Sequence, residues 1–405
     1  VQIRPTTEQD LTVFVDTMHA AFGRFPEGPA DSEGMWWSAL EMDRALLATT
    51  EQGAPIGTAA AYSFELTLPG EVVVPVAGVT TVGVLPTHRR QGVASAMMRH
   101  QLTEVRARGE LAAVLLCTDA RIYGRFGYGP ATYMQRMTVQ RHQAAFRPAH
   151  GPAAGSIEVL PIEVLRRAEG GEVLEAVYDR YRRAQPGALS RPHRWWAVGA
   201  GQPPVSRAPR YLAVHRDDAG VPDGYASYTV TESGTLTVDE TIATDDAVAT
   251  ALARFVLDHD LVTQVVFKQV PLDHPLRWQL EDFRGVQLGD DGDWLWVRLL
   301  DVPRALTTRR WWADGELVLD VVDPFLGEHG RHLLTVRDGT ADCVPTDRAP
   351  DLSLDVRDLG SIYLGGTAPS TLVRAGHVQA HHPGVVALAD SLFRSNRAPH
   401  CLHWF

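Results

Sequence analysis

Two arginines and a glycine lie in one short stretch, Val82-Gly83-Val84-Leu85-Pro86-Thr87-His88-Arg89-Arg90-Gln91-Gly92-Val93-Ala94, between an apolar run and residues 95–102, which have helical spacing. That order reads as strand, basic turn and helix. The first N–H groups of a helix have no intrahelical acceptor and sit at the positive end of its dipole, so anions bind there. Gly92 lets backbone approach a ligand, Ala94 keeps the first turn thin, and Arg89 and Arg90 add charge-assisted donors suited to a diphosphate. An R-x-x-G-x-A pattern alone is also what a glycine-punctuated strand-to-helix turn would show. The strand, the doubled arginine and the helix, falling in order, give the pattern its weight.

Two further features carry chemical potential. The segment Ile122-Tyr123-Gly124-Arg125-Phe126-Gly127-Tyr128-Gly129 holds two phenols. A tyrosine with a reference pKa of about 10 is protonated at neutral pH and so is fit to donate a proton. Equally, both rings would serve as core aromatics near a turn. The sequence then ends on His403-Trp404-Phe405, an apolar ending that makes sense if it is docked, since chain ends are commonly solvated unless tied down. The histidines 377, 381, 382, 400 and 403 find no carboxylate or cysteine nearby to complete a ligand set, so no metal is expected.

These residues need a large frame. At 405 residues the chain suggests two or three domains, and its 45% hydrophobic and 21% charged content is that of a globular protein. A net charge of −11 argues against nucleic acid as a partner. No run of eighteen apolar residues and no signal h-region is visible, so the expectation is a cytoplasmic protein without a membrane partner. Three scattered cysteines make neither a disulfide framework nor a zinc site.

Residues 1–150 read as β-α-β-β-β-α-β, with a capped helix from Thr7 and Asp10 to about Phe22 and strands at 45–49, 55–63, 77–84 and 112–117. Residues 147–156 have linker composition, which places a boundary at 150. Residues 151–302 repeat the mixture, with strands at 211–214, 224–230, 235–241, 262–268 and 293–300 and a helix at 245–258. Where a phosphate loop would lie they carry Asp245 and Asp246, which cap a helix and repel a pyrophosphate. Residues 303–405 run strands first and helices last, an α+β domain.

The stretch Arg89-x-x-Gly92-x-Ala94 resembles the acyl-CoA diphosphate loop of the GNAT acetyltransferases. Together with Tyr123-Gly124-Arg125-Phe126-Gly127, the run P-G-E-V-V-V-P-V-A-G-V-T at 69–80, L-G-S-I-Y-L-G-G at 359–366 and the terminal phenylalanine, the whole chain resembles the Eis family of bacterial N-acetyltransferases. That resemblance implies tandem GNAT folds, the second degenerate, followed by a sterol-carrier-type domain, α/β and α+β in class. It also implies a homo-hexamer and an acetyl-CoA-dependent N-acetyltransferase acting on primary amines of small molecules: aminoglycosides, polyamines or lysine-type amines.

By the same resemblance, Val82, Gly83 and Val84 hold pantetheine, an N–H near Val82 faces the oxyanion, and Arg89, Arg90, Gln91, Gly92, Val93 and Ala94 carry the diphosphate. Tyr123 is the general acid, and the Phe405 carboxylate is the base or the group that orients the ammonium. Arg24, Phe25, Trp36 and Trp404 would line the acceptor pocket, with Trp37 beside Trp36. Aminoglycoside-modifying members have carboxylates where this chain has Arg24 and Trp404, leaving Glu27, Asp31, Glu33 or Glu41 as substitutes. The rival readings are a carrier of lipid or another hydrophobic ligand, and a CoA-binding regulatory protein without turnover.

Overall fold

The computed structural model describes residues 1–23, 36–148, 154–161, 169–197 and 210–405. In chain order the strands are β1 (Gln2–Pro5), β2 (Ala45–Thr49), β3 (Pro55–Leu68), β4 (Val72–Val84), β5 (Ala112–Leu116), β6 (Gly129–Pro130), β7 (Tyr133–Gln140), β8 (Ser156–Pro161), β9 (Tyr211–Arg216), β10 (Pro222–Val230), β11 (Thr235–Ala243), β12 (Gln264–Val270), β13 (Val286–Asp293), β14 (Leu295–Leu299), β15 (Gly315–Asp323), β16 (Glu328–Arg337), β17 (Thr340–Pro345), β18 (Leu352–Asp355) and β19 (Gln379–Ala380). The helices are α1 (Leu11–Phe22), α2 (Val93–Ala107), α3 (Ala120–Tyr123), α4 (Glu169–Ala184), α5 (His193–Ala197), α6 (Asp246–Leu257), α7 (Leu276–Gln279), α8 (Val302–Thr308), α9 (Val356–Tyr363), α10 (Pro369–Arg374) and α11 (Val385–Phe393).

Two compact units result, one formed by residues 1–132, 294–396 and 405, the other by residues 133–293 and 397–404. In the first, β1-β2-β3-β4-β5-β14-β6 form one sheet and β17-β16-β15-β18-β19 another. Met98, Leu102 and Val105 make one stripe of α2 and bury against Ala61, Ala77, Val79 and Ala113 of the larger sheet, as an amphipathic helix must. α1 starts as its sequence requires: the Thr7 N–H donates to the Asp10 carboxylate at 2.9 Å, and Gly23 closes the helix in the left-handed conformation.

The second unit contains one sheet, β13-β7-β12-β11-β10-β9-β8, packed on α6 through Val248, Leu252 and Val256. The Asp245 carboxylate caps α6, accepting the Val248 N–H at 2.9 Å.

The compact units do not follow sequence order, and two segments show it. Residues 133–140 carry Met137 and Val139 into the second core, so the change of compact unit falls at Thr132/Tyr133. The strand expected at 293–300 is β14, which pairs with β5 and β6 of the first sheet and adds Trp296 to the first core. Periodicity marks a strand but not the sheet it joins.

Candidate active site

The centre of the first sheet opens along one edge. β4 and β5 pair in parallel only from Val76 to Gly78 against Ala112 to Val114, although β4 runs on to Val84 and β5 to Leu116. Ala60 opposes Thr80 and Thr58 opposes Gly83, so β4 carries one extra residue between them. Thr81 absorbs it with φ +52°, and its carbonyl accepts the Thr58 hydroxyl at 2.8 Å. Such a bulge bends and twists its strand, and a left-handed non-glycine residue is a strain characteristic of functional positions. Beyond Gly78 the backbone of β4, Val82 and Val84 included, thus runs on without a ladder partner on β5.

The basic turn follows β4 directly and leads into α2. Pro86–His88 form a 3-10 turn, Arg90 takes φ +62°, and Gly92 with φ +82° caps α2. A side chain on Gly92 would meet open space, so the left-handed backbone is what requires glycine there. Val93 is buried with Ala48, Ile56, Ala59 and Met97, leaving only its backbone to face a ligand. Arg89 is tied into the fold: its guanidinium donates to the Ala21 carbonyl at 2.7 Å and to the Val84 carbonyl at 3.2 Å. Gln91 donates to the Thr87 carbonyl at 3.3 Å. Arg90 is exposed. Gly83 has a packing reason: a Cβ there would lie 2.9 Å from the Ala21 Cβ.

Tyr123 ends α3, whose cap Asp119 accepts the Arg121 N–H at 3.0 Å. Its ring meets Tyr128 edge-on, centroids 6.1 Å apart. Burial pushes the Tyr123 phenol up to about 12, the neighbouring Cys117 thiol adds to this, and a hydrogen bond with Thr118 opposes it. Tyr128 is fully buried, its hydroxyl without a hydrogen-bond partner among the described residues, and burial raises it further still. Tyr123, Val82 and Ala94 come from three separate segments and pack on one cluster together with Cys117. Cys117 entered the sequence reading only as one of three scattered cysteines and as the end of the 112–117 strand; its place beside Tyr123 was not read there.

Phe405, buried, completes this unit. Its ring packs edge-on against Phe64 at 5.1 Å and Tyr62 at 6.4 Å. It lies 3.2 Å from where a Gly78 Cβ would stand, at the last residue pairing β4 to β5. Phe64 and Gly78 were likewise missed, although Gly78 lies in the 69–80 run that carried the resemblance. Trp404 belongs to the second unit.

Arg24, Phe25, Glu27, Asp31 and Glu33 lie outside the described residues. Trp36 opens a 3-10 turn, Trp36–Ala39. Trp37 is a core residue, packed with Val15 and Met18 and edge-on to His19 at 5.2 Å. The Glu41 carboxylate accepts the Ser63 N–H at 2.9 Å and its hydroxyl at 2.6 Å, holding β3. Among the described residues, no three His, Cys, Asp or Glu side chains gather to hold a metal, and no helix is long and apolar enough to cross a membrane.

A parallel strand pair that parts beyond Gly78, followed by a glycine-capped helix, matches the GNAT class, and comparison with known proteins agrees. Residues 2–131 and residues 187–299 each match an acetyltransferase (GNAT) domain, and residues 302–402 match a sterol carrier protein domain. An uncharacterized N-acetyltransferase of Streptomyces avermitilis is 36% identical over 417 residues, covering 100% of this chain and 99% of the relative. N-acetyltransferase Eis of Mycobacterium tuberculosis is 34% identical over 380 residues, 91% of each chain. The crystal structure of Eis1 from Mycobacterium abscessus superposes with a TM-score of 0.87 at 33% identity, covering 100% of both chains. The chain belongs to the Eis family of N-acetyltransferases and is an acetyltransferase with tandem GNAT domains and a sterol-carrier-type domain.

Proposed function

We propose that this enzyme transfers the acetyl group of acetyl-CoA to primary amines of small molecules, with Tyr123 as general acid and the Phe405 carboxylate as base or as the group that orients the ammonium. The observation that carries this reading is the meeting of Val82, Ala94 and Tyr123 on one cluster, in the unit where Phe405 docks against Phe64. Acetyl-CoA supplies an acyl group activated as a thioester. The backbone of Val82, Gly83 and Val84 holds its pantetheine arm, and an N–H near Val82 polarises the carbonyl. Arg89, Arg90, Gln91, Gly92, Val93 and Ala94 hold the diphosphate at the start of α2, Arg89 bracing the turn as well through the Ala21 carbonyl. Tyr123, kept protonated by burial, gives its proton to the departing sulfur.

A free α-carboxyl titrates near about 3.5, so Phe405 acts as a base only if burial raises it; as a fixed negative charge it orients an ammonium without that shift. Arg24, Phe25, Trp36 and Trp404 are the acceptor-pocket residues of this reading, and aminoglycosides, polyamines and lysine-type amines its acceptors. A homo-hexamer in the cytoplasm is its assembly and setting, and the segments 1–150, 151–302 and 303–405 its family domains.

The test is CoA release with an aminoglycoside, spermidine and free lysine, using a chain that ends at Phe405 and one carrying a further alanine. Turnover that collapses with the added residue supports the carboxylate's role. Undiminished turnover removes Phe405 from the mechanism.

A further inference from the structure

The turn that carries Tyr123 is braced by residues far along the chain, several of them in the sterol-carrier-type domain. Three of its glycines abut residues far along the chain. A Cβ on Gly124 would lie 3.5 Å from Arg357 Cδ, one on Gly127 would lie 2.6 Å from Arg298 Nε, and one on Gly129 would strike the Arg357 carbonyl and the Ser361 hydroxyl. Arg298 has no exposed surface. Its Nε donates to the Phe126 carbonyl at 2.9 Å, and its Nη2 pairs with the Asp323 carboxylate. The other Asp323 oxygen accepts the Leu326 N–H at 3.1 Å, which fixes the turn between β15 and β16. Phe325, in that turn, packs edge-on against Phe126 at 4.9 Å and lies under the Arg99 guanidinium of α2 at 4.7 Å.

One turn of the sterol-carrier-type domain therefore touches both halves of the proposed transfer site, the acid turn through Phe126 and the diphosphate helix through Arg99. A buried ion pair adds little net stability, since desolvation offsets its Coulomb attraction. Where it fixes a backbone carbonyl, its consequence is geometric.

We infer that Asp323 and Phe325 are positioning residues for acetyl transfer: Asp323 through Arg298, and Phe325 through Phe126, hold the turn that aims Tyr123. The inference rests on Tyr123 being the general acid. It gives the sterol-carrier-type domain a part in catalysis that requires no lipid.

The experiment measures kcat for CoA release at saturating acetyl-CoA, with whichever amine is turned over fastest, and the Kd of acetyl-CoA by calorimetry. It compares Asp323→Asn and Phe325→Leu, each alone and combined with Tyr123→Phe. Each single variant should lower kcat on the order of 10- to 10²-fold, as misplacement of a catalytic group does, with the acetyl-CoA Kd unchanged. Combined with Tyr123→Phe, each should cost less than about threefold more, because no acid remains to be aimed. Full additivity, or a wild-type kcat in the single variants, overturns the inference. If Asp323→Asn leaves Arg298 uncompensated and does not fold, Phe325→Leu, which keeps the apolar fill, decides alone. Should Tyr123→Phe by itself retain the wild-type rate, the acid assignment fails, a result distinct from failure of the brace.

Discussion

Gly83→Ala tests whether the fold positions the diphosphate turn. A methyl at residue 83 would lie 2.9 Å from the Ala21 Cβ, with the Phe22 ring at 3.5 Å and the Thr58 hydroxyl at 3.6 Å. Carbon atoms pack best at about 3.5–4.0 Å, so the end of α1 must retreat by at least about 0.6 Å. Ala21 is buried and has no flexible side chain to yield, so the displacement passes to the backbone, and the carbonyl that moves is the one holding Arg89 at 2.7 Å. Overpacking of this kind costs about 1–3 kcal/mol, or several degrees of Tm at about 2–4 °C per kcal/mol for a domain of this size. With its anchor displaced, the turn should bind acetyl-CoA more weakly by about three- to tenfold, while kcat at saturation changes little. Calorimetric Kd, steady-state kinetics and thermal unfolding on the same sample make the assay. Wild-type Tm together with wild-type Kd would refute the reasoning, and a lowered Tm with unchanged Kd would show that Arg89 does not transmit the shift.

Two further outcomes are expected. Gly78→Ala places a methyl into the Phe64 ring and 3.2 Å from Phe405; kcat should fall on the order of 10²-fold with the acetyl-CoA Kd within about threefold, and an unchanged kcat would separate Phe405 docking from catalysis. His274, half-buried, and His400, buried, lie in the second unit and have imidazoles pushed down to about 4 by desolvation, against 6.5 in the unfolded chain. Their contribution is complete above pH 6.5 and is lost as pH falls towards 4, because the unfolded state then binds protons the folded state does not; the loss is about 2 kcal/mol each at pH 5. Urea unfolding at pH 7.5 and pH 5 should show this slope, and a His274→Gln, His400→Gln double variant should flatten it; equal slopes would contradict the assignment.

Local features of the chain were legible because their causes are local. The basic turn from Leu85 to Gly92, the Asp245 cap and the Thr7–Asp10 pair need only neighbours in sequence, and the structure places each where spacing puts it. The extra residue at Thr81 could not be read, since a bulge is defined by the partner strand. Sheet membership of β7 and β14 was hidden for the same reason: Val139 and Trp296 are apolar in either sheet. Arg89 illustrates a subtler limit. Its type and position suit a diphosphate, and it also donates to a carbonyl 68 residues away, which no local pattern announces. Tyr123 came from resemblance, and the core that it shares with Val82 and Ala94 emerges only when three segments fold together.

The most direct test of the account is CoA release from acetyl-CoA over a panel of primary amines, comparing the wild-type chain with Tyr123→Phe. The account predicts turnover with at least one amine and a loss of kcat on the order of 10²- to 10⁴-fold in the variant, at unchanged acetyl-CoA Kd. A Tyr123→Phe enzyme that works at the wild-type rate, or acetyl-CoA binding without turnover on any amine, would contradict it.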